Sequence, residues 1–188
     1  MCRYILDRQK CLWITPFTTE MISAEYISWF NDSETSKYTS HAMFPMTKER
    51  AIEYLQHSNR PLSSTIVWAI YSNNLHIGNT CLTSIDYHNR SSEFAIIISK
   101  PHHKKGIGAK VLNKLLWHGF NKLNLERIWL GTSILNIGMQ KVAEKAGMKL
   151  EGRYMHGMFH QGKYIDSLVF GIIKYRYGRL KKEGKNDE

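Results

Sequence analysis

The stretch that most constrains this chain runs from Glu93 to Leu116, where an apolar run, a basic glycine turn and an amphipathic segment follow one another without interruption. Residues 94–98 are continuously apolar, as expected for a central strand covered on both faces. From Ile107 onward, Val111, Leu112, Leu115, Leu116 and Phe120 recur at the spacing of one helical face. Between these segments lies His103-Lys104-Lys105-Gly106-Ile107-Gly108. Its glycines remove side chains where a ligand can approach the backbone. The helix that follows offers free N–H groups and its positive dipole end to an anion. The turn therefore reads as a phosphate or pyrophosphate cradle. An ordinary strand-to-helix loop with solvated lysines is the plainer alternative, because short glycine motifs recur by chance.

The flanking sequence supplies elements in a definite order. Residues 12–14 form a short first strand ended by Pro16, and Thr18 or Thr19 is expected to cap a helix carrying Met21, Ile22, Tyr26, Ile27, Trp29 and Phe30. A second helix starts at Thr47, after a loop with Tyr38, His41 and Phe44. A hairpin follows, residues 66–71 and 75–85 around Asn73-Asn74. Beyond the central unit come a strand at 127–132, a helix opened by Asn136 and stopped by Gly147, and a closing hairpin of 149–159 and 164–175 around Gly162.

The chain has 188 residues, enough for one domain with a full-sized core, expected over residues 1–188 with its core at about 12–175 and a basic, solvated terminal segment from 176. No apolar run reaches the roughly 20 residues of a membrane span, and the charged segment Met1 to Lys10 has no signal-peptide core. The three cysteines are irregularly spaced and show no metal pattern, so free thiols in a cytoplasmic setting, no metal and no membrane partner are expected. The net charge of +10 implies acidic partners.

Four segments now bear on family. Trp29-Phe30-Asn31-Asp32, the turn His103 to Gly108, Asn136 followed by Glu144-Lys145-Ala146-Gly147-Met148-Lys149-Leu150-Glu151-Gly152, and Gly162-Lys163-Tyr164-Ile165-Asp166 occur in this order. Together they resemble the GNAT superfamily of N-acetyltransferases, in its ribosomal-protein-alanine-acetyltransferase-like branch. The resemblance implies an α/β (α+β) fold: one domain, with a mixed central sheet of about six to seven strands flanked by about four helices. The sequence departs from the pattern at His103, where Arg or Gln is usual, and at Met148, where Phe is usual. It departs again at Ala143, where many relatives carry a tyrosine that protonates the leaving thiolate.

The resemblance implies acetyl transfer from acetyl-CoA to a primary amine. A protonated amine must lose its proton before it attacks a thioester, so a base or water wire is needed. Glu93, at the head of the central strand, is the expected catalytic base; a surface carboxylate at a strand start is the alternative. The cofactor is expected on the backbone of Ile96, Ile97 and Ile98, on the turn His103, Lys104, Lys105, Gly106, Ile107, Gly108 and Ala109, and on Asn136, whose plainer role is a helix cap. Tyr38, His41 and Phe44, with Tyr154 and His156, are the expected acceptor-binding residues. Asp166 is a further candidate for the missing acid.

The acceptor is expected to be a small, anionic amine. The segment from Tyr26 to Glu49 looks more like amino-sugar acetyltransferases, which suggests a nucleotide-linked amino sugar of surface-glycan synthesis. A protein N-terminus of ribosomal type is the alternative, and polyamines are disfavoured by the net charge unless the pocket is locally acidic. A non-catalytic nucleic-acid-binding module is a third reading, opposed by basic residues that cluster on the turn rather than interleaving with aromatics. A homodimer is consistent with the resemblance.

Overall fold

The computed structural model describes residues 3–38 and 44–184. Among the described residues, eight strands form one mixed sheet in the order β1-β2-β3-β4-β5-β6-β8-β7, with five α-helices. The strands are β1 Tyr4–Asp7, β2 Leu12–Pro16, β3 Ile66–Ser72, β4 Leu75–Asp86, β5 Ser91–Ile98, β6 Arg127–Ser133, β7 Lys149–His160 and β8 Lys163–Ile173. The helices are α1 Ala24–Asn31, α2 Lys48–His57, α3 Ile107–Asn121, α4 Ile137–Lys145 and α5 Lys174–Lys182. The chain divides into two compact units, Met1–Thr83 with Ala95–Ile107 and Ser84–Phe94 with Gly108–Glu188.

In the first unit, β1 to β4 pair antiparallel in sequence order. Helices α1 and α2 bury Tyr26, Trp29, Phe30, Ala51 and Leu55 with Val67, Ala69 and Ile97. Trp29 is therefore core. Its motif neighbours are structural as well: Asn31 exchanges two hydrogen bonds with the Met46 backbone, and Asp32 accepts from Thr35 N and Oγ1. The first helix begins later than its threonines suggest. The Ser23 hydroxyl accepts from Tyr26 N and starts α1 there, leaving Thr19–Met21 as a single 3₁₀ turn. Thr47 caps α2 as expected, accepting from Arg50 N.

In the second unit, β5 pairs with β6 in parallel at Ser91–Arg127, Ser92–Ile128 and Glu93–Trp129, and β6 pairs antiparallel with β8 along its whole length. Helix α3 buries Val111, Leu112, Leu115, Leu116 and Phe120. It lies so close to β6 that a Cβ on Gly119 would stand 2.5 Å from Ile128 Cδ1.

Three expectations need correction. The central strand is not covered along its whole length: Ala95 is exposed, although Ile97, two residues on, is buried. A strand precedes the expected first one, since Tyr4–Asp7 pairs with β2. The described part of the basic terminal segment is not solvated throughout: Lys174–Lys182 form a docked helix. Tyr177 is buried 5.1 Å from the Phe120 ring, and Arg176 Nε donates to the Gly147 carbonyl.

Candidate active site

The turn after β5 is braced from within. Ser99 N donates to the Ile77 carbonyl, Ser99 Oγ and His102 Nδ1 lie 3.0 Å apart, and His103 Nε2 lies 2.7 Å from the Ile98 carbonyl oxygen. A carbonyl can only accept, so His103 donates from Nε2. The imidazole thus ties the end of β5 to the turn. The Ser99–His102 pair was missed by sequence reasoning; its three-residue spacing is the local signal that marks it.

The backbone is left-handed at Lys104 (φ 59°) and at Gly106 (φ 77°). Glycine adopts this region without the clash a Cβ brings. An ideal Cβ on Gly106 meets nothing within 4 Å, so the space above it is open. Gly108 has a different environment: its Cβ would stand 3.4 Å from Val142 Cγ2, which makes it a packing residue between α3 and α4. The first turn of α3 carries no acid. That N-terminal turn, with Lys104, Lys105 and Lys110 around it in sequence, is suited to an anion.

Glu93 is half-buried on β5. Its Oε1 stands beside Gly131 of β6, 3.8 Å from where a Gly131 Cβ would be, and burial raises its pKa against the opposing influence of the Gly131 backbone. A half-buried carboxyl with a raised pKa is suited to accept a proton. Gly131 was not anticipated, because it lies on another strand.

Asn136 caps α4, with Oδ1 accepting from Met139 N. That commits the side-chain oxygen and leaves the amide NH₂ as the group it can offer a ligand. Ala143, one helical face along, is fully buried.

Of the expected acceptor residues, Tyr38 and Phe44 belong to the first unit and Tyr154 and His156 to the second. His41 lies outside the described residues. Phe44 is exposed, with the Arg50 guanidinium 5.7 Å from its ring, and the Lys37 ammonium stands 5.1 Å over Tyr38. Tyr154 and His156 sit on the exposed β7–β8 hairpin, where the register slips between Tyr154–Ser167 and Met158–Ile165. Asp166 fills that bulge: its carboxylate accepts from His156 N and pairs with Arg153. These donors hold its carboxyl below the usual range. Asp166 is therefore an ionised brace and not a proton donor. Among the described residues, no group of three or more His, Cys, Asp or Glu could hold a metal, and no helix is long and apolar enough to cross a membrane.

Comparison with known proteins places the chain in a family. The chain is 34% identical over 101 residues to the spermidine N(1)-acetyltransferase of Vibrio cholerae, matching 54% of this chain and 58% of that enzyme, so it spans little more than half of its curated relative. In fold it is similar to the spermidine N-acetyltransferase from Vibrio cholerae solved with CoA and spermine (TM-score 0.77, 24% identity, 88% of this chain and 97% of that one). It is likewise similar to RimL, the ribosomal L7/L12 α-N-protein acetyltransferase, solved with coenzyme A (TM-score 0.77, 16% identity, 86% of this chain and 93% of that one). The acetyltransferase (GNAT) domain family matches residues 12–149, and this chain belongs to that family.

Proposed function

We propose that this chain, acting as one domain over residues 1–188, is an acetyl-CoA-dependent N-acetyltransferase that acylates a primary amine. The observation that carries the reading is the open cradle: Gly106 is left-handed, with free space where a side chain would stand, and it leads into an α3 whose first turn carries no acid. The residues present fit the cosubstrate. Backbone N–H groups from Lys104 to Ala109 would hold its pyrophosphate, with Lys104 and Lys105 adding charge; the His103 N–H already donates to the Lys100 carbonyl. The edge of β5 at Ile96, Ile97 and Ile98 would pair with the pantetheine amides, because the ladder with β6 ends at Glu93 while β5 runs on to Ile98. Asn136 would donate from its amide nitrogen.

Acetyl-CoA, when bound, supplies an activated thioester carbonyl. Glu93 removes a proton from the acceptor ammonium, directly or through a water, and frees the lone pair that forms the C–N bond as the C–S bond breaks. The thiolate takes its proton from solvent or from a group other than residue 143, since Ala143 has no hydroxyl.

For the acceptor, the name of the Vibrio cholerae relative and one local feature favour a polyamine. Residues 11–36 contain Glu20, Glu25, Asp32 and Glu34 but no Lys or Arg, an acidic stretch inside a chain of +10. Hydrogen bonds from Thr35 keep Asp32 ionised. Such a stretch attracts a polycation that the chain as a whole would repel. A nucleotide-linked amino sugar is the second reading, favoured by the net charge and by the segment from Tyr26 to Glu49.

Thermal-shift titration with acetyl-CoA is the first test, and a rise in melting temperature is expected. No shift at millimolar ligand would remove the acetyltransferase reading and leave the nucleic-acid-binding module. Thiol release is then followed with spermidine, nucleotide-linked amino sugars and N-terminal peptides. Turnover with spermidine alone supports the polyamine; turnover with amino sugars or peptides alone replaces it.

A further inference from the structure

A groove of about 520 Å³ runs along α5. Tyr175, Arg176, Arg179 and Leu180 recur at helical spacing and line it from the helix. Lys149 and Glu151 of β7 and the end of β8 from Gly171 to Ile173 line it from the sheet. Small organic ligands occupy pockets of about 300–1,000 Å³, so the groove has the size for one.

Its charges are unevenly committed. Both terminal nitrogens of Arg127 donate to the Glu151 carboxylate, which lies over Gly171 where a Cβ would strike it. Glu151 is therefore neutralised from outside the groove. Glu183 stands 3.3 Å from Arg179, an exposed i,i+4 pair of the kind that holds its partners weakly. Two cations are left over. Among the described residues the Lys149 ammonium has no partner, and Arg176 uses only Nε, which donates to the Gly147 carbonyl at 2.8 Å. That bond fixes the guanidinium and leaves its two terminal nitrogens as a fork for an oxyanion. Beside these cations the lining is apolar: Ile173 is 43% and Tyr175 70% exposed, and Leu180 is half-buried between them and the core.

We infer that this groove binds a planar organic anion of about mononucleotide size. Its phosphate or carboxylate sits on Arg176 and Lys149, and its flat body covers Ile173 and stacks on Tyr175. An inorganic anion would leave the apolar half in water, and a polycation is repelled by the two unpaired charges. None of these residues belongs to the acetyl-transfer site proposed above, so the inference does not rest on that reading.

The test is a ¹⁵N–¹H NMR titration of the full chain with AMP as the probe. Saturating shifts are expected at residues 149–151 and 171–183. Lys149→Ala with Tyr175→Ala, both at exposed positions, is expected to weaken AMP about tenfold, the effect of losing one good contact. Adenosine and inorganic phosphate each carry half of the ligand and are expected to saturate these residues only at higher concentration. Shifts confined to residues 103–109, either half-ligand binding as tightly as AMP, or undiminished AMP affinity in the folded variant overturns the proposal. The wild-type map decides the location even if the variant does not fold. A failed acetyl-CoA thermal shift beside saturating AMP shifts in the groove would remove the acetyltransferase reading and leave this one standing.

Discussion

The Glu93 carboxylate sits beside Gly131 on the adjacent strand, with Oε1 3.8 Å from where a Gly131 Cβ would stand. Burial raises its pKa above the ordinary carboxylate value and outweighs the opposing influence of the Gly131 backbone. The proposed base is therefore tuned by its surroundings in the sheet.

Glu93→Gln should keep the side chain's shape beside Gly131 and lose the proton acceptor. Turnover is expected to fall about 100-fold at neutral pH, the low end for removing a general base, with partial rescue as pH approaches the amine's own pKa. An unchanged pH–rate profile would take Glu93 out of the mechanism. The same substitution has a stability signature. An acid whose folded pKa is raised holds its proton longer when folded, so stability falls as pH rises from the unfolded pKa through the folded one. Glu93→Gln should therefore be the more stable protein at pH 8 and gain nothing at pH 4, as read by urea midpoints.

Gly106→Ala places a Cβ in a left-handed position that is otherwise open. The expected stability cost is about 1 kcal/mol, from backbone strain alone. Acetyl-CoA affinity should fall by more than that strain explains, because the Cβ enters the cradle. Equal thermal shifts with acetyl-CoA in both proteins would show that the ligand does not approach the backbone there.

Tyr177→Ala removes the ring that anchors α5 against Phe120. A loss of about 3 kcal/mol is expected, typical of truncating a buried aromatic residue. Denaturant titration checks it, and a loss below about 0.5 kcal/mol, the scale of an ordinary surface substitution, would mean that α5 contributes little to folding.

Burial, with Lys114 and Lys122 adding to it, pushes the His118 pKa down to about 4 from an ordinary 6.5. A histidine whose folded pKa lies below its unfolded value binds its proton more readily when unfolded. The stability it permits is full above pH 6.5 and drains as pH falls towards 4. His118→Gln should flatten that part of the stability–pH curve. Asp166 acts at lower pH: its carboxyl is held low, so its contribution is present at neutral pH and lost as acid protonates the folded state. The gap between wild type and Asp166→Asn should narrow as pH falls below the ordinary carboxylate pKa of 3.8 and close once the folded state is protonated as well.

What the sequence by itself determined is the part written in short-range signals. The α3 face from Ile107 to Phe120, the caps at Thr47 and Asn136, and the hairpin at Asn73-Asn74 were all legible, because each rests on groups a few residues apart. The glycine turn ahead of α3 was legible for the same reason. Tertiary structure decided what depends on partners far along the chain. Strand β1 exists because β2 supplies its hydrogen bonds, and α5 docks because Tyr177 finds Phe120 and Arg176 finds the Gly147 carbonyl. Distant contacts also reassigned residues within recognised motifs. Gly108 packs against Val142, and Asp166 braces a bulge opposite Arg153 and His156. Even within the legible turn, folding back to the β5 terminus ties His103 to the Ile98 carbonyl. A motif reports which residue types occur together, whereas the role of each polar group is fixed by whichever donor or acceptor folding brings within about 3 Å of it.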